Sequence, residues 1–494
     1  MTGHIIGVDI GTTGTKVVLF APTAGIVAQT TRPSQLHSPR PGFAEADPAE
    51  WMTNVVESIR EVLSVSGADP SEIAAIATSG MVPAMLALDG AGEPVRPAIL
   101  QNDARATREI EEIRDATASI DLVAVTGSEV TQQSVAPTLL WLARHEPEAW
   151  SRTMRIQGSY DWILSQLGAD VHVEQNWAIE SGLFALDGSL LPAVVEAAGF
   201  DPSLIPPIAA PGTIVGSVSG RIADATGLPR SAHLVVGGAD HVLSAFAAGV
   251  EKPGDWLVKL GGAGDILVAS STPVTDARLY LDVHPRPDTW LPNGCMATSG
   301  SLIRWFQALV GGADLLQLDA EAADRTPADI LCLPYFLGEK SPLHDPKLRG
   351  AFAGLHLGHT RADMYRSVLE SIAFGFRHHA EIFSEIGIPM ALARITNGGS
   401  RSTLWKQIHA DVLGTELFPV IDHPGASLGA ALVAARTIGA LDSWDAASAF
   451  VRFGDPVLPD QERRAIYDDA YETWRELGTT LTPISHRIAE RSRS

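Results

Sequence analysis

The sequence predicts an α/β protein of two domains built on one repeated plan. Three observations support this. The chain has 494 residues, more than a single hydrophobic core organises. Apolar, β-branched runs alternate with helical patterns in both halves. The strand, glycine loop and strand of His4 to Phe20 also return at Trp256 to Val268. Val8-Asp9-Ile10-Gly11-Thr12-Thr13-Gly14-Thr15 lies over Val258-Lys259-Leu260-Gly261-Gly262-Ala263-Gly264-Asp265, with Val, Gly and Gly matching in place. The pattern breaks at Glu251-Lys252-Pro253-Gly254, so the expected domains are residues 1–250 and 251–494.

In chain order, His4 to Phe20 reads as two strands around a Gly/Thr turn. Asp47 and Pro48 announce a helix to about Val65, with Glu50 placed to complete a capping box. Trp51, Val55, Ile59 and Leu63 recur on one face of it. Ile73 to Thr78 is a buried strand ending at Ser79-Gly80. Leu234-Val235-Val236, two glycines and Asp240 read as a strand running into a helix. Further on, Thr360 and Asp363 cap a helix from Arg361 to Phe383. Ala393 to Thr396 is a strand, Ser402 to Leu413 a helix, Leu417 to Ile421 a strand, and Ser427 to Arg436 an Ala-rich helix. The polar, basic tail after Ser485 is expected to fray.

Composition narrows the function. A formal charge of −22 repels phosphate backbones and argues against a nucleic-acid partner. Cys295 and Cys332 form no CxxC pattern, which argues against a zinc site or a disulfide framework. No signal peptide precedes the first strand, and no apolar run is long enough to span a bilayer. These features point to the cytoplasm.

Three glycine-rich loops each follow an apolar strand: Gly11 to Thr15, Gly261 to Gly264, and Gly398-Gly399-Ser400. Glycine lets backbone N–H groups approach a phosphate. The first loop adds the hydroxyls of Thr12, Thr13 and Thr15 and the cation of Lys16. Asp9 ends the preceding strand, where its carboxylate could hold Mg²⁺ through water. A single such loop is more often a plain hairpin, but three favour a nucleotide. GxxxxGK[ST] is absent, and no GxGxxG joins a strand to a helix, so a dehydrogenase has little support.

These segments resemble the FGGY carbohydrate kinases, with a flavour closest to the xylulokinase-like branch. Asp9 to Lys16 resembles the family's first phosphate loop, and Gly237-Gly238-Ala239-Asp240-His241 its catalytic-aspartate loop. Gly350 to Leu355, running into the Arg361 helix, resembles its longer signature. Asn397 to Ser402 with Trp405 resembles the adenine-side loop, and Gly425 to Ala431 the closing segment. The motifs stand in family order over nearly the whole chain. The resemblance implies two actin-like (ribonuclease H-like) ATPase domains around a cleft. The first would bind the sugar, and the second ATP with Mg²⁺. It implies Asp240 as general base, Asp9 as the Mg²⁺ carboxylate, and Met81 and Asp103 as sugar contacts. It also implies a nucleotide site of Gly11, Thr12, Thr13, Lys16, Gly261, Gly262, Gly264, Gly300, Gly398, Gly399 and Ser400. Gly158 to Asp161 and Asn176 are weaker candidates. From the residues alone, Met81 could equally fill the core, and Asp103 and Asp240 could cap helices.

Departures from the family pattern bear on the pocket. Val82 and Pro83 follow Met81, Gln101 precedes Asn102-Asp103, His241 follows Asp240, and Gly262-Ala263 replaces a Thr-Ser pair. The expected activity is ATP-dependent phosphorylation of a small ketose, polyol or sugar acid. Glycerol is disfavoured. A sensor on the same fold or another actin-like ATPase is the alternative. A homodimer is compatible with the sequence, which carries nothing that fixes the oligomeric state. His378 and His379 are read as packing or surface residues.

Overall fold

The opening apolar runs form a hairpin in which β1 (His4–Gly11) and β2 (Gly14–Ala21) pair antiparallel, with Gly11 opposite Gly14. The computed structural model describes residues 3–491. β3 (Gly25–Pro33) continues the meander against β2. Helix α1 (Pro48–Ser66) begins at Asp47, whose carboxylate accepts from the Ala49 N–H, and buries Trp51, Val55, Ile59, Val62 and Leu63. The predicted capping box does not form, because Glu50 instead accepts the Gln35 N–H at 3.0 Å. β4 (Ile73–Gly80) lies parallel to β1. After α2 (Ser159–Leu167) and α3 (Gln175–Glu180) come β5 (Ile214–Ser217), β6 (His233–Ala239) and α4 (Asp240–Ala247). The sheet order is β5-β6-β4-β1-β2-β3, with β6, β4 and β1 parallel at its centre. Strands covered on both faces read as near-continuous apolar runs, as Ile5 to Ile10 do.

The plan then repeats. β7 (Asp255–Leu260), β8 (Gly264–Val268) and β9 (Trp290–Met296) form a second antiparallel meander. Helix α5 (Gly300–Leu309) follows. Helix α6 (Arg361–Glu385) starts at the predicted Thr360–Asp363 capping box. β10 (Leu392–Thr396) is parallel to β7, helix α7 (Thr403–Leu413) covers it, and β11 (Leu417–Ile421) is parallel to β10. Last come α8 (Ala426–Thr437), β12 (Arg452–Phe453) and α9 (Gln461–Arg491). From β9 onward the order β9-β8-β7-β10-β11-β12 repeats the plan of the first sheet, a meander, then two parallel strands, then an antiparallel edge, and one further strand, Tyr280–Val283, lies outside β9 to make seven. The short match between the two glycine hairpins therefore reflects a repeated topology.

The chain divides into two units, but not at one point. The first comprises residues up to Glu251 together with Leu281–Leu291 and Pro424–Phe450; the second comprises Lys252–Tyr280, Pro292–His423 and the chain from Val451 on. The first crossing lies between Glu251 and Lys252. Helix α8 packs in the first unit although its sequence position lies late in the second half. Every residue from Ala426 to Ala435 is buried, and such a helix needs cover on all sides. Glycines provide it. A Cβ on Gly7 would fall 1.9 Å from the Ser427 carbonyl, and one on Gly429 would fall 2.2 Å from the Leu243 carbonyl. In the second unit the tail is helical through Arg491 rather than frayed, with His486 Nε2 2.6 Å from Asp345 Oδ2. Residues 492–494 lie outside the described residues.

No helix among the described residues is long and apolar enough to cross a membrane. The tight seat of α8 makes Gly7→Ala a sharp test of the core. Overpacking there should cost about 1–3 kcal/mol and lower the unfolding midpoint, whereas an unchanged midpoint would show that α8 shifts freely.

Candidate active site

Three parallel strands end side by side in the first unit. Ile10 pairs with Gly80, and Gly80 with Ala239, so the residues that follow these strand ends emerge along one edge. Ligands of open α/β sheets gather at such carboxyl ends. β1 places Asp9 and the Thr12–Thr13 turn there. β4 leads into Met81, whose N–H donates to the Ile10 carbonyl at 3.1 Å. β6 leads into Asp240.

Asp240 is the first residue of α4, and the cap position is Ala239, with no side-chain cap bond. Asp240 thus stands in the first turn of α4 rather than at its cap position. Its side chain is 33% exposed, while that of Asp282 is 1% exposed. His241 Nδ1 lies 3.5 Å from Asp240 Oδ1, and His241 Nε2 lies 2.7 Å from Asp282 Oδ2. Glu180, the last residue of α3, places Oε1 3.8 Å from the same nitrogen. Burial opposes charge on His241, but Asp282, Asp240 and Glu180 outweigh it and hold the imidazole protonated well above its ordinary range. Burial, reinforced by the Asp282 charge, pushes Glu180 well above the carboxylate range.

Met81 is buried, and the Thr12 hydroxyl approaches its sulfur at 4.0 Å. Gln101 Nε2 donates to the same hydroxyl at 3.3 Å. Asp103 is fully engaged inside the protein. One oxygen accepts from the Ala44 N–H at 2.6 Å and from Arg105 Nη2 at 2.7 Å; the other accepts from Arg105 N and Nε at 2.9 and 2.8 Å. It does not cap the next helix, which begins at Thr107. Thr15 is buried within β2 and offers no hydroxyl to a ligand. Lys16 Nζ donates to the Pro424 carbonyl at 2.8 Å. Asn176 brackets the backbone of Val283 through both amide atoms.

The second unit brings its predicted loops together at the ends of parallel strands β7 and β10, where Lys259 pairs with Thr396. The N–H groups of Ser299 and Ser301 donate to the Gly262 carbonyl, and that of Gly300 donates to Gly261. The hairpin is thereby fixed against the start of α5. Gly399 presses on Trp405 so closely that a Cβ would fall 2.2 Å from the indole, and Asn397 adopts φ 72° to enter the turn. Only a residue without a side chain fits there.

Family models for the FGGY carbohydrate kinases match residues 4–247 with the N-terminal domain and 259–438 with the C-terminal domain. The chain belongs to the FGGY family of carbohydrate kinases. It is 27% identical to a xylulose kinase of Lactococcus lactis over 99% of both chains, and 24% identical to a gluconokinase of Bacillus subtilis over 98% of this chain and 95% of that one. The crystal structure of xylulose kinase from Rhodospirillum rubrum superposes with a TM-score of 0.89 at 41% identity, covering 98% of this chain and 100% of that one. The protein is thus an ATP-dependent sugar kinase with the actin-like ATPase fold.

Sequence reasoning missed residues beside the candidate loops of each unit. Glu180 and Asp282 converge on His241 from distant segments, and no local pattern marks them. Arg304, one turn into α5, is exposed, and its Nη2 lies 3.2 Å from where a Gly262 Cβ would be. An arginine one turn after the Ser299-Gly300 start was the available signal. His378 and His379 are packing residues, with His379 buried and bonded to Gly375 and Ser341.

Beneath the same edge lie two further buried carboxyls. Glu174 accepts from Tyr160 Oη at 2.9 Å, and Asp161 lies 3.7 Å from His172 Nε2. Burial pushes both up to about 8. A carboxyl raised in the folded state contributes stability that is complete below the unfolded value near 4 and is lost as pH rises towards 8. The melting temperature should therefore fall between pH 5 and 8 (about 4 to 8 being the window of these two groups). Asp161→Asn should flatten that fall; parallel wild-type and mutant curves would remove Asp161 as a cause.

Proposed function

We propose that this kinase transfers the γ-phosphoryl group of ATP to a hydroxyl of a small neutral ketose or polyol, with Asp240 as general base. The observation that carries the reading is the position of Asp240: a third exposed, at the head of α4, on the edge where β1, β4 and β6 end. A carboxylate there can accept the hydroxyl proton as the oxygen attacks phosphorus. Relatives named xylulose kinase and gluconokinase both lie within reach by sequence. The state of Arg105 favours the neutral class: its side chain is fully buried against Asp103 and Glu45, so it offers nothing to an aldonate carboxylate.

On the nucleotide side, the Gly261–Gly264 hairpin and the Gly398–Gly399 turn bring backbone close enough to meet phosphates and leave room for a base, while Gly300, whose N–H is bonded to Gly261, and Ser400, whose N–H is bonded to Asn397, hold the two loops in shape. Arg304 adds a guanidinium, suited to phosphate oxygens by its fork of donors. In the first unit, Gly11, Thr12, Thr13 and Lys16 stand beside Asp9. Asp9 offers the hard oxygen that Mg²⁺ prefers, directly or through water, and the hydroxyls beside it suit the hydrated ion. Mg²⁺ held there would screen charge on the phosphates. Met81 forms an apolar wall against the carbon skeleton of the acceptor. Asp103 acts indirectly by holding the Ala44 and Arg105 segments in place.

ADP release with Mg·ATP across ketopentoses, pentitols, tetritols and aldonates tests the reading. A neutral member should give at least ten times the kcat/KM of any aldonate, and Asp240→Asn should lower its kcat by about 10²–10⁴-fold. Undiminished turnover in Asp240→Asn would remove the base, and a preference for aldonates would reverse the substrate class. Arg304→Ala should raise the KM for ATP several-fold and leave the KM for sugar unchanged. An unchanged KM for ATP would place Arg304 outside the nucleotide site.

A further inference from the structure

The side chain after the proposed base is itself held in place. His241 is fixed through Nε2 by Asp282 at 2.7 Å, with Glu180 at 3.8 Å, and it turns Nδ1 towards Asp240 at 3.5 Å. The three partners come from different parts of the first unit: the Leu281–Leu291 segment, the end of α3 and the head of α4. An imidazole lodged between carboxylates on both nitrogens is best satisfied with a proton on each. A neutral ring keeping its hydrogen on the Asp282 side would turn a lone pair towards Asp240.

We infer that His241 is a positioning residue, an imidazolium anchored by Asp282 that orients the Asp240 carboxylate and keeps it ionised until the sugar binds. The inference rests on Asp240 as the base. In the transfer step the hydroxyl proton passes to Asp240, the sugar oxygen bonds to the γ-phosphorus, and the bond from that phosphorus to the β–γ bridging oxygen breaks to release ADP. His241 keeps its protons throughout. A protonated Asp240 beside a fixed cation is disfavoured, so the proton leaves to solvent and the carboxylate is ready for the next turnover.

Other groups around this cluster leave the assignment intact. Glu174 lies below Gly238, 3.8 Å from where a Cβ would stand. Its raised pKa of about 8 leaves it largely protonated near neutrality. His284 packs edge-on to Phe246 of α4 and is bonded to the Val250 carbonyl through Nε2. Helix α8, packed against α4, presents no ionisable residue from Ala426 to Ala435.

The test is the pH profile of kcat and kcat/KM for the preferred sugar in the full-length enzyme, for wild type, His241→Asn, His241→Gln, Asp282→Asn and Asp240→Asn. An opposite charge at this range lowers a carboxyl pKa by about one unit or more. Both His241 variants should therefore move the acid limb of kcat/KM up by about one pH unit and lower kcat about tenfold at neutral pH, with the KM for ATP unchanged. Asp282→Asn should move the limb in the same direction by less, because it loosens the imidazolium without removing it. Acid limbs that coincide with wild type in the His241 and Asp282 variants would overturn the inference. A KM effect on both substrates with an unmoved limb would also do so, by reducing His241 to a packing role. Asp240→Asn separates the two readings. If it is inactive while the limbs coincide, only the role of His241 fails; if it turns over normally, the base itself fails.

Discussion

The seat of helix α8 on the central parallel strands is the constraint from which the first unit follows. An Ala-rich helix with no polar face can lie only where it is enclosed, and β1 and α4 admit it only because Gly7 and Gly429 lack side chains. Ile5, Val18, Ala75, Ala77, Val235, Leu243 and Phe246 meet the helix in one core cluster. That packing holds β1, β4 and β6 in register on the opposite side from α1. The ends of these three strands carry Asp9, Met81 and Asp240. A segment near residue 430 thus fixes a site whose residues were made hundreds of positions earlier.

Electrostatics on that edge depend on burial. Asp282, Glu180, Glu174 and Asp161 are acids in surroundings with little water, and the protein answers the cost in different ways. Asp282 is bonded to an imidazolium, while burial favours a retained proton on Glu174 and Asp161 near neutrality. Asp240 alone of the group around His241 reaches solvent to a substantial extent. The general base proposed above would need that access to take and release a proton each cycle, whereas its supporting groups would need rigidity. The second unit is organised by backbone instead, with the Gly261 and Gly262 carbonyls fixed onto the start of α5 and Gly399 pressed against Trp405.

Much of this was legible in the amino-acid order because it is local. The Thr360–Asp363 capping box, the apolar face of α1, the glycine hairpin after β1 and its counterpart after β7 all depend on residues within a few positions of one another. The predicted Glu50 box failed because a backbone N–H from a neighbouring segment competed for the same carboxylate. Thr15 looked like a loop hydroxyl but belongs to β2, since the turn closes in two residues. Asp103 accepts from its neighbour Arg105, which the sequence places nearby, and from Ala44, which comes within reach only once the chain has folded back on itself.

The sequence by itself determined the α/β class, the repeated plan, the family and the positions of Asp9, Asp240 and the three glycine loops. Each of these rests on short-range periodicity or on a contiguous motif. The tertiary structure alone decided that α8 completes the first unit, that Asp103 is tied inward, and that Glu180 and Asp282 close on His241. Those are contacts between residues tens to hundreds of positions apart. What selects them is buried area and the pairing of buried charge, and neither quantity exists until the strands are side by side.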